Sequence, residues 1–262
     1  MAIDLDGTLL RSDQTVSERS KTAIATARSA GVEVVVATAR SPRSTQALAA
    51  EAGIGGLAIC ANGAIVYDLD DERIVRHTPL RAATAHRLVL GLRERFPGIV
   101  FGWEYELRFG SEPAYEAQRG QAWWPRPEGS YEPCDPLEWT RPMTKLLARL
   151  RSEDLEQLLV VATELAGPDA STTLAGNAFV ELAAPGTGKE VALERLAADR
   201  GFGAPEVVAF GDHRTDAGMI AWAGHGVAVA NAHPSALAAA DEVTATNDDD
   251  GVAIVLERLA GQ

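Results

Sequence analysis

The sequence predicts an α/β protein: a doubly wound parallel sheet interrupted by an inserted α+β domain. Three observations carry this reading. Strand-like and helix-like segments alternate as β-α-β-α-β over the first 60 or so residues. The same rhythm returns after residue 184. Between the two, residues 80–183 hold 11 of the 15 aromatic residues and four of the five tryptophans, a change of texture that marks a separate core. The predicted division is therefore a core formed by 1–79 and 184–262, with 80–183 inserted.

Each element follows from its own residues. Met1–Leu5 is apolar except for Asp4 and reads as a short buried strand. Thr15 and Glu18 have capping-box spacing. Ile24, Ala27 and Ala30 then share one helical face, and Gly31 is placed to end that helix. Val32–Ala37 is a β-branched run that suits a strand buried on both faces. Ser41-Pro42 opens a second helix as N-cap and first helical residue, Gly53 closes it, and Leu57–Cys60 is the next strand. In the second half, 190–199 reads as helix, 207–210 as strand, 216–223 as helix, 227–229 as strand and 252–259 as a closing helix. Inside the insert, short antiparallel strands are expected near 99–103, 107–109, 145–149 and 180–182. Its Pro- and Glu-containing stretch 125–136 reads as a loop, and its tryptophans Trp103, Trp123, Trp124 and Trp139 read as core.

Composition narrows the function. The chain has 262 residues, 37 acidic against 24 basic, a formal charge of −13, and 46 % hydrophobic residues. That is an ordinary globular balance, long enough for one large core or two modest ones. The acidic balance argues against a nucleic-acid backbone as partner. No run of about 18 apolar residues exists to span a bilayer, and the first residues show no secretory signal. Cys60 and Cys134 lie far apart without CxxC spacing, which suits a reducing, cytoplasmic setting and offers no metal cage. An acidic protein that handles an anion must gather positive charge locally, from a metal or a few placed cations.

The chemistry concentrates in Asp4-Leu5-Asp6-Gly7-Thr8-Leu9-Leu10. Two carboxylates follow a buried strand, where a doubly wound sheet places its ligands. Ionised acids there need a counter-charge, and a divalent ion with oxygen ligands, Mg²⁺ best, supplies it while keeping positions for water and phosphate oxygens. Thr38 and Arg40 follow the 32–37 strand. Lys189 follows Gly186-Thr187-Gly188 at a helix start, and Gly211–Asp216 adds acids after the 207–210 strand. Acids after two strands, a hydroxyl after a third and one lysine suit phosphoryl transfer.

With these motifs in this order, the chain resembles the haloacid dehalogenase-like hydrolases, in particular the Cof-type subclass IIB phosphatases. Asp4–Leu10 is similar to the first motif, Ala37–Arg40 to the second, Lys189 to the third and Gly211–Asp216 to the fourth. Ala61–Ile65, Gly226–Ala232 and Thr246–Val252 extend the likeness over essentially the whole chain. The resemblance implies a Rossmann-like core with a type C2 cap that admits a small leaving group. It implies an Mg²⁺-dependent phosphomonoesterase acting on a small phosphorylated metabolite, sugar or polyol phosphates first. By position, Asp4 is then the nucleophile and Asp6 the general acid and base. Asp4, the Asp6 carbonyl and Asp212 hold the metal, Thr38 and Lys189 bind phosphate, and Asp216 orients Lys189 or a metal-bound water. Arg40 and Asn231 are substrate contacts. Three departures stand out: Ala39 in place of a usual glycine, Thr215 in place of a common asparagine, and only three residues before Asp4.

Other signals carry less. Gly186–Glu190 lacks the first glycine and the Ser/Thr of a P-loop, and the 53–58 glycines precede a strand, the reverse of a dinucleotide fingerprint. The five histidines lack zinc spacing; His213 reads as an exposed loop residue, Ser41 as a cap, and Asp248-Asp249-Asp250 as solvent-facing charge at a helix start. Two rivals remain open: a phosphomutase of the phosphomannomutase type, and a sugar-phosphate binding or regulatory protein with decayed catalysis.

Overall fold

The structure, a computed structural model, describes residues 1–119, 131–151, 155–175 and 179–260. Contacts divide it into two compact units, Met1–Arg76 with Gly188–Gln262, and His77–Thr187.

The chain begins with β1 (Ala2–Ile3), α1 (Glu18–Ser29), β2 (Val35–Ala37), α2 (Pro42–Glu51) and β3 (Leu57–Cys60), followed by β4 (Ile65–Asp68) and β5 (Arg73–His77). The insert supplies α3 (Ala82–Arg95), β6 (Val100–Tyr105), β7 (Arg108–Ser111), α4 (Pro113–Arg119), β8 (Tyr131–Pro133), β9 (Lys145–Arg149), α5 (Leu155–Ala166), β10 (Ser171–Ala175) and β11 (Phe179–Ala183). The chain then adds α6 (Lys189–Asp199), β12 (Val208–Gly211), α7 (Ala217–Trp222), β13 (His225–Ala228), α8 (Pro234–Ala239), β14 (Glu242–Val243) and α9 (Gly251–Ala260).

The core sheet has eight strands in the order β14-β13-β12-β1-β2-β3-β4-β5. It is parallel from β14 to β3, with Ile3 opposite both Phe210 and Val36, and turns antiparallel at β3–β4. Ile3, Val36 and Phe210 are fully buried, as a strand covered by helices on both faces requires. The expected run 32–37 shortens to Val35–Ala37 because a strand pairs only as far as its neighbour extends. β1 has two residues, the ladder starts at Ala2 opposite Val35, and Val32 is exposed.

Two helix starts differ from expectation. The cap of α1 is Ser17, whose hydroxyl accepts the Ser20 N–H at 3.0 Å. Thr15 instead bonds the Asp13 carboxylate through its own N–H and hydroxyl, so Glu18 falls at the first helical position and the T-x-x-E box does not form. Ala30 is the exposed C-cap of this helix, while Ser20, Ala23, Ile24 and Ala27 make its buried face. Ser41 does sit at the start of α2 with Pro42 after it, but its hydroxyl meets that of Ser44 at 3.2 Å and makes no capping bond to the backbone.

The insert carries a six-stranded sheet, β10-β11-β9-β6-β7-β8, antiparallel except between β7 and β8. The core is thus a mainly parallel α/β sheet and the insert a second, mixed sheet with helices, the α+β cap. Alternation sorts its two faces. Phe101, Trp103, Tyr105, Leu146, Ala148, Val180 and Leu182 pack with the buried sides of α3 and α5. Val100, Phe109 and Leu147 cluster with Tyr115 of α4. Trp103 and Trp139 are core residues here; Trp123 and Trp124 lie outside the described residues, as do 125–130 of the expected loop. Within that expected loop, Tyr131–Pro133 forms β8, paired in parallel to β7 with Phe109 opposite Tyr131.

Candidate active site

β1 lies between β12 and β2, so the residues that follow these three parallel strands share one rim of the sheet. Asp4 follows β1, its N–H bonded to the Phe210 carbonyl at 3.1 Å. Asp212 follows β12 and Thr38 follows β2, with the Thr38 N–H on the Ile59 carbonyl at 2.8 Å. After Asp4 the chain makes a wide turn in which Leu10 N–H reaches the Leu5 carbonyl at 2.8 Å. Gly7 allows it: its φ is +75°, and a Cβ there would stand 2.5 Å from Asp212 Oδ2.

Lys189, first residue of α6, is 2 % exposed and donates to Asp4 Oδ1 at 2.7 Å and Asp216 Oδ1 at 2.6 Å. The second Asp216 oxygen accepts the backbone N–H groups of Asp212 (3.1 Å) and His213 (2.8 Å), so both of its oxygens are engaged. Asp212 accepts the Thr8 hydroxyl at 2.8 Å. One ammonium thus faces three carboxylates. Burial first, and the Asp216 charge second, push the Asp4 carboxyl well above the ordinary range, against the pull of Lys189. Burial also pushes Asp212 up to about 6, opposed by the Thr8 hydrogen bond. Burial by itself would lower Lys189, but Asp216 and Asp4 outweigh it and hold the ammonium charged above its usual range.

A cation fits this arrangement. Asp4, Asp212 and Asp216 each offer an oxygen, all within 4.8 Å of one another, and the Asp4 and Asp212 carboxyls lie within hydrogen-bonding reach of each other. Two such acids need a proton or a metal between them, and all-oxygen donors suit a hard divalent ion. With both Asp216 oxygens engaged, Asp4 and Asp212 are the acids best free to hold it.

The side chain of Asp6 belongs to a different group. Arg40 grips it with Nε on Oδ2 at 2.6 Å and a terminal nitrogen on Oδ1 at 2.5 Å, while that same nitrogen donates to Gln14 Oε1 at 2.6 Å. The Arg40 side chain is buried and that of Asp6 is 42 % exposed. Arg40, expected at substrate, is spent in this structure on Asp6. Thr38 is fully buried, and its hydroxyl accepts the Arg40 N–H at 3.1 Å. Asn231 is exposed, its amide donating to the Gly7 carbonyl at 2.8 Å, which makes it a brace of the turn after Asp4.

The loop after β3 completes the rim. Ala61 and Asn62 adopt left-handed backbone and donate their N–H groups to the carbonyls of Arg40 (2.8 Å) and Thr38 (3.1 Å). Gly63, at φ +90°, lets this loop touch the turn before Lys189, where a Cβ would fall 2.2 Å from the Gly188 carbonyl. Ala39 is not among the residues with left-handed backbone, so alanine introduces no strain there. Thr215 shares a 3.3 Å hydrogen bond with His213. His213 is only half-exposed, and burial lowers its pKa. Asp248 and Asp249 are exposed and Asp250 half-buried just before α9, as expected; Asp248 also binds Ser12 through N–H and hydroxyl (2.8 and 2.6 Å), and Asp250 pairs with Arg11 at 2.9 Å. Thr8, Gln14 and Asn247 were not singled out from sequence. Thr8 stood inside the first motif and Asn247 inside the Thr246–Val252 likeness, whereas nothing local marks Gln14, whose partner Arg40 is distant in the chain.

Among the described residues no helix is long and apolar enough to cross a membrane. Residues 1–256 match the family model of the haloacid dehalogenase-like hydrolases. The chain is 31 % identical to the 5-amino-6-(5-phospho-D-ribitylamino)uracil phosphatase YcsE of Bacillus subtilis, over 97 % of this chain and 92 % of that one. It is 27 % identical to the pyridoxal phosphate phosphatase YbhA of Escherichia coli, over 97 % and 95 %. A crystal structure of a haloacid dehalogenase-like hydrolase from Bacteroides thetaiotaomicron superposes with a TM-score of 0.81 at 26 % identity, covering 98 % of both chains. Sheet order, motif order and these likenesses agree: the chain belongs to the haloacid dehalogenase-like hydrolases, as a Cof-type subclass IIB phosphatase.

Proposed function

We propose that this phosphatase hydrolyses small phosphomonoesters through a phosphorylated Asp4, with Mg²⁺ held by Asp4, Asp212 and the Asp6 carbonyl. The observation that supports this most is the buried set of Asp4, Asp212 and Asp216 around Lys189, an acid excess that one ammonium does not balance. Mg²⁺, when bound, supplies charge neutralisation for the phosphoryl oxygens. Asp4 attacks phosphorus in line; the ester P–O bond breaks as the Asp4–phosphorus bond forms. Asp6 gives its proton to the leaving alkoxide, then takes one from the water that attacks phosphorus and frees Asp4. Its present pairing with Arg40 opens for that step. Thr38 and Lys189 bind the phosphoryl oxygens, and Asp216 keeps Lys189 aimed at Asp4.

Sugar and polyol phosphates are the first substrates to test. The phosphate esters for which the two relatives are named form the second group. The decisive variant is Asp4→Asn: it keeps the circular-dichroism spectrum of the parent and releases no inorganic phosphate from a generic aryl phosphate. Near-normal release from Asp4→Asn overturns the nucleophile assignment.

A further inference from the structure

The loop from Arg11 to Thr15 carries a side chain to which the chemistry above gives no role. Gln14 stands at φ +68°, a left-handed backbone that glycine adopts freely and other residues rarely. The loop is held in this shape from both sides. The Arg11 N–H bonds the Thr15 carbonyl at 2.9 Å, and the Gln14 N–H bonds the Arg11 carbonyl at 2.8 Å. Asp248 takes the Ser12 N–H, and Asp250 takes the Arg11 guanidinium. A glutamine kept where glycine would fit more easily points to a use for its side chain.

That side chain reaches the partner of the general acid. Gln14 Oε1 accepts a terminal Arg40 nitrogen at 2.6 Å, and the same nitrogen donates to Asp6 Oδ1. Arginine has donors only, so the carbonyl end of the amide is the end that faces it. The Arg40 Nε–H holds the other Asp6 oxygen at 2.6 Å. Both carboxylate oxygens are occupied, and Asp6 can turn one toward a leaving group only by shedding this grip.

Shedding it is a problem of geometry. The guanidinium is a rigid fork on a flexible stem, and such a stem could swing with the carboxylate and keep hold of it. Gln14 opposes that movement. Its carbonyl pulls on the same nitrogen from a loop fixed independently of Asp6, and the Arg40 side chain is itself only 7 % exposed. A neutral amide also suits the resting state, because it anchors the cation without rivalling the Asp6 charge.

We propose that Gln14 is a positioning residue for proton transfer: it retains Arg40 when Asp6 turns to the leaving oxygen, so the acid arrives there alone. This deepens the proposed function and rests on its reading of Asp6 as the general acid.

The test compares two esters in single turnovers with enzyme in excess. Phenyl phosphate has a leaving oxygen that needs a proton, and 2,4-dinitrophenyl phosphate has one that does not. Gln14→Gly lowers the ratio of phenol to dinitrophenol release about tenfold, a part of the about 10²–10⁴ that general acid–base catalysis contributes. Glycine relieves the left-handed backbone, so the variant melts no lower than the parent. Gln14→Glu restores an oxygen that holds Arg40, and its ratio is at or above that of the parent. A parental ratio in Gln14→Gly, equal slowing of both esters, or no rescue by glutamate overturns the proposal. Asp6→Asn separates this failure from that of the parent reading. If Asp6→Asn lowers the ratio while Gln14→Gly does not, the general acid stands and Gln14 has no part in it. If Asp6→Asn leaves the ratio unchanged, both fall together.

Discussion

Replacing Lys189 by methionine tests the electrostatic core of the site. The substitution keeps length and apolar volume but deletes an ammonium that is 2 % exposed and makes two charge-assisted bonds, of 2.7 and 2.6 Å. Asp4, Asp212 and Asp216 are then left facing one another. Removing one partner of a buried pair costs about 3–5 kcal/mol, because the remaining charge stays buried and unanswered. Urea unfolding in the presence of a chelator, at pH 7.5 and pH 5, reads the effect. At pH 7.5 the variant loses about that amount. At pH 5 the loss shrinks, since Asp212 titrates near 6 and Asp4 also lies well above the ordinary carboxylate range, so protons replace the missing ammonium. A loss below about 1 kcal/mol, against the about 3–5 of a broken buried pair, or an equal loss at both pH values, would refute this account.

The metal-free wild type should itself become less stable as pH rises. Asp212 has a folded pKa of about 6 against an ordinary 3.8, so its contribution is complete below the unfolded value and is lost as pH climbs through about 6. Adding Mg²⁺ then raises the melting temperature more at pH 7.5 than at pH 5, and differential scanning calorimetry checks both. Gly7→Ala forces a Cβ to within 2.5 Å of the Asp212 carboxylate at φ +75°; it should cost about 1–3 kcal/mol in urea unfolding and most of the phosphatase activity. Arg40→Lys exchanges a two-point grip on Asp6 for a single charge. Because that grip opens for catalysis, the looser pair should keep kcat/KM at or above that of the parent, measured by phosphate release under limiting substrate; a tenfold fall, ~1.4 kcal/mol, would refute the opening.

The sequence was most informative where one strand or one motif decides the outcome. Asp4, Asp212 and Thr38 each follow a buried strand, and a parallel sheet puts such residues on one rim whatever the rest of the chain does. It was least informative where partners are remote. The capture of Asp6 by Arg40 depends on side-chain reach across 34 residues, and Arg40 has the composition of an anion-binding residue in either role. Thr15 and Ser17 are both sound caps by residue type; the Asp13 carboxylate, which takes the Thr15 hydroxyl and N–H, decides between them. In the insert, β8 was hidden because Tyr131–Pro133 ends in a proline and pairs with β7 in parallel. An edge strand tolerates that proline, but a sequence pattern reads it as a break.

The turn after Asp4 is braced almost wholly by the far end of the polypeptide. Asn231 holds the Gly7 carbonyl, Asn247 the Leu10 carbonyl at 2.8 Å, Asp248 grips Ser12 and Asp250 grips Arg11, with sequence separations of 224, 237, 236 and 239 residues. Asp4 is therefore made more than 220 residues before the side chains that brace the turn after it. Until those braces are made and close so long a loop, at considerable entropic cost, the turn after Asp4 stays unfinished. That turn should thus close only once residues 231–250 have been made.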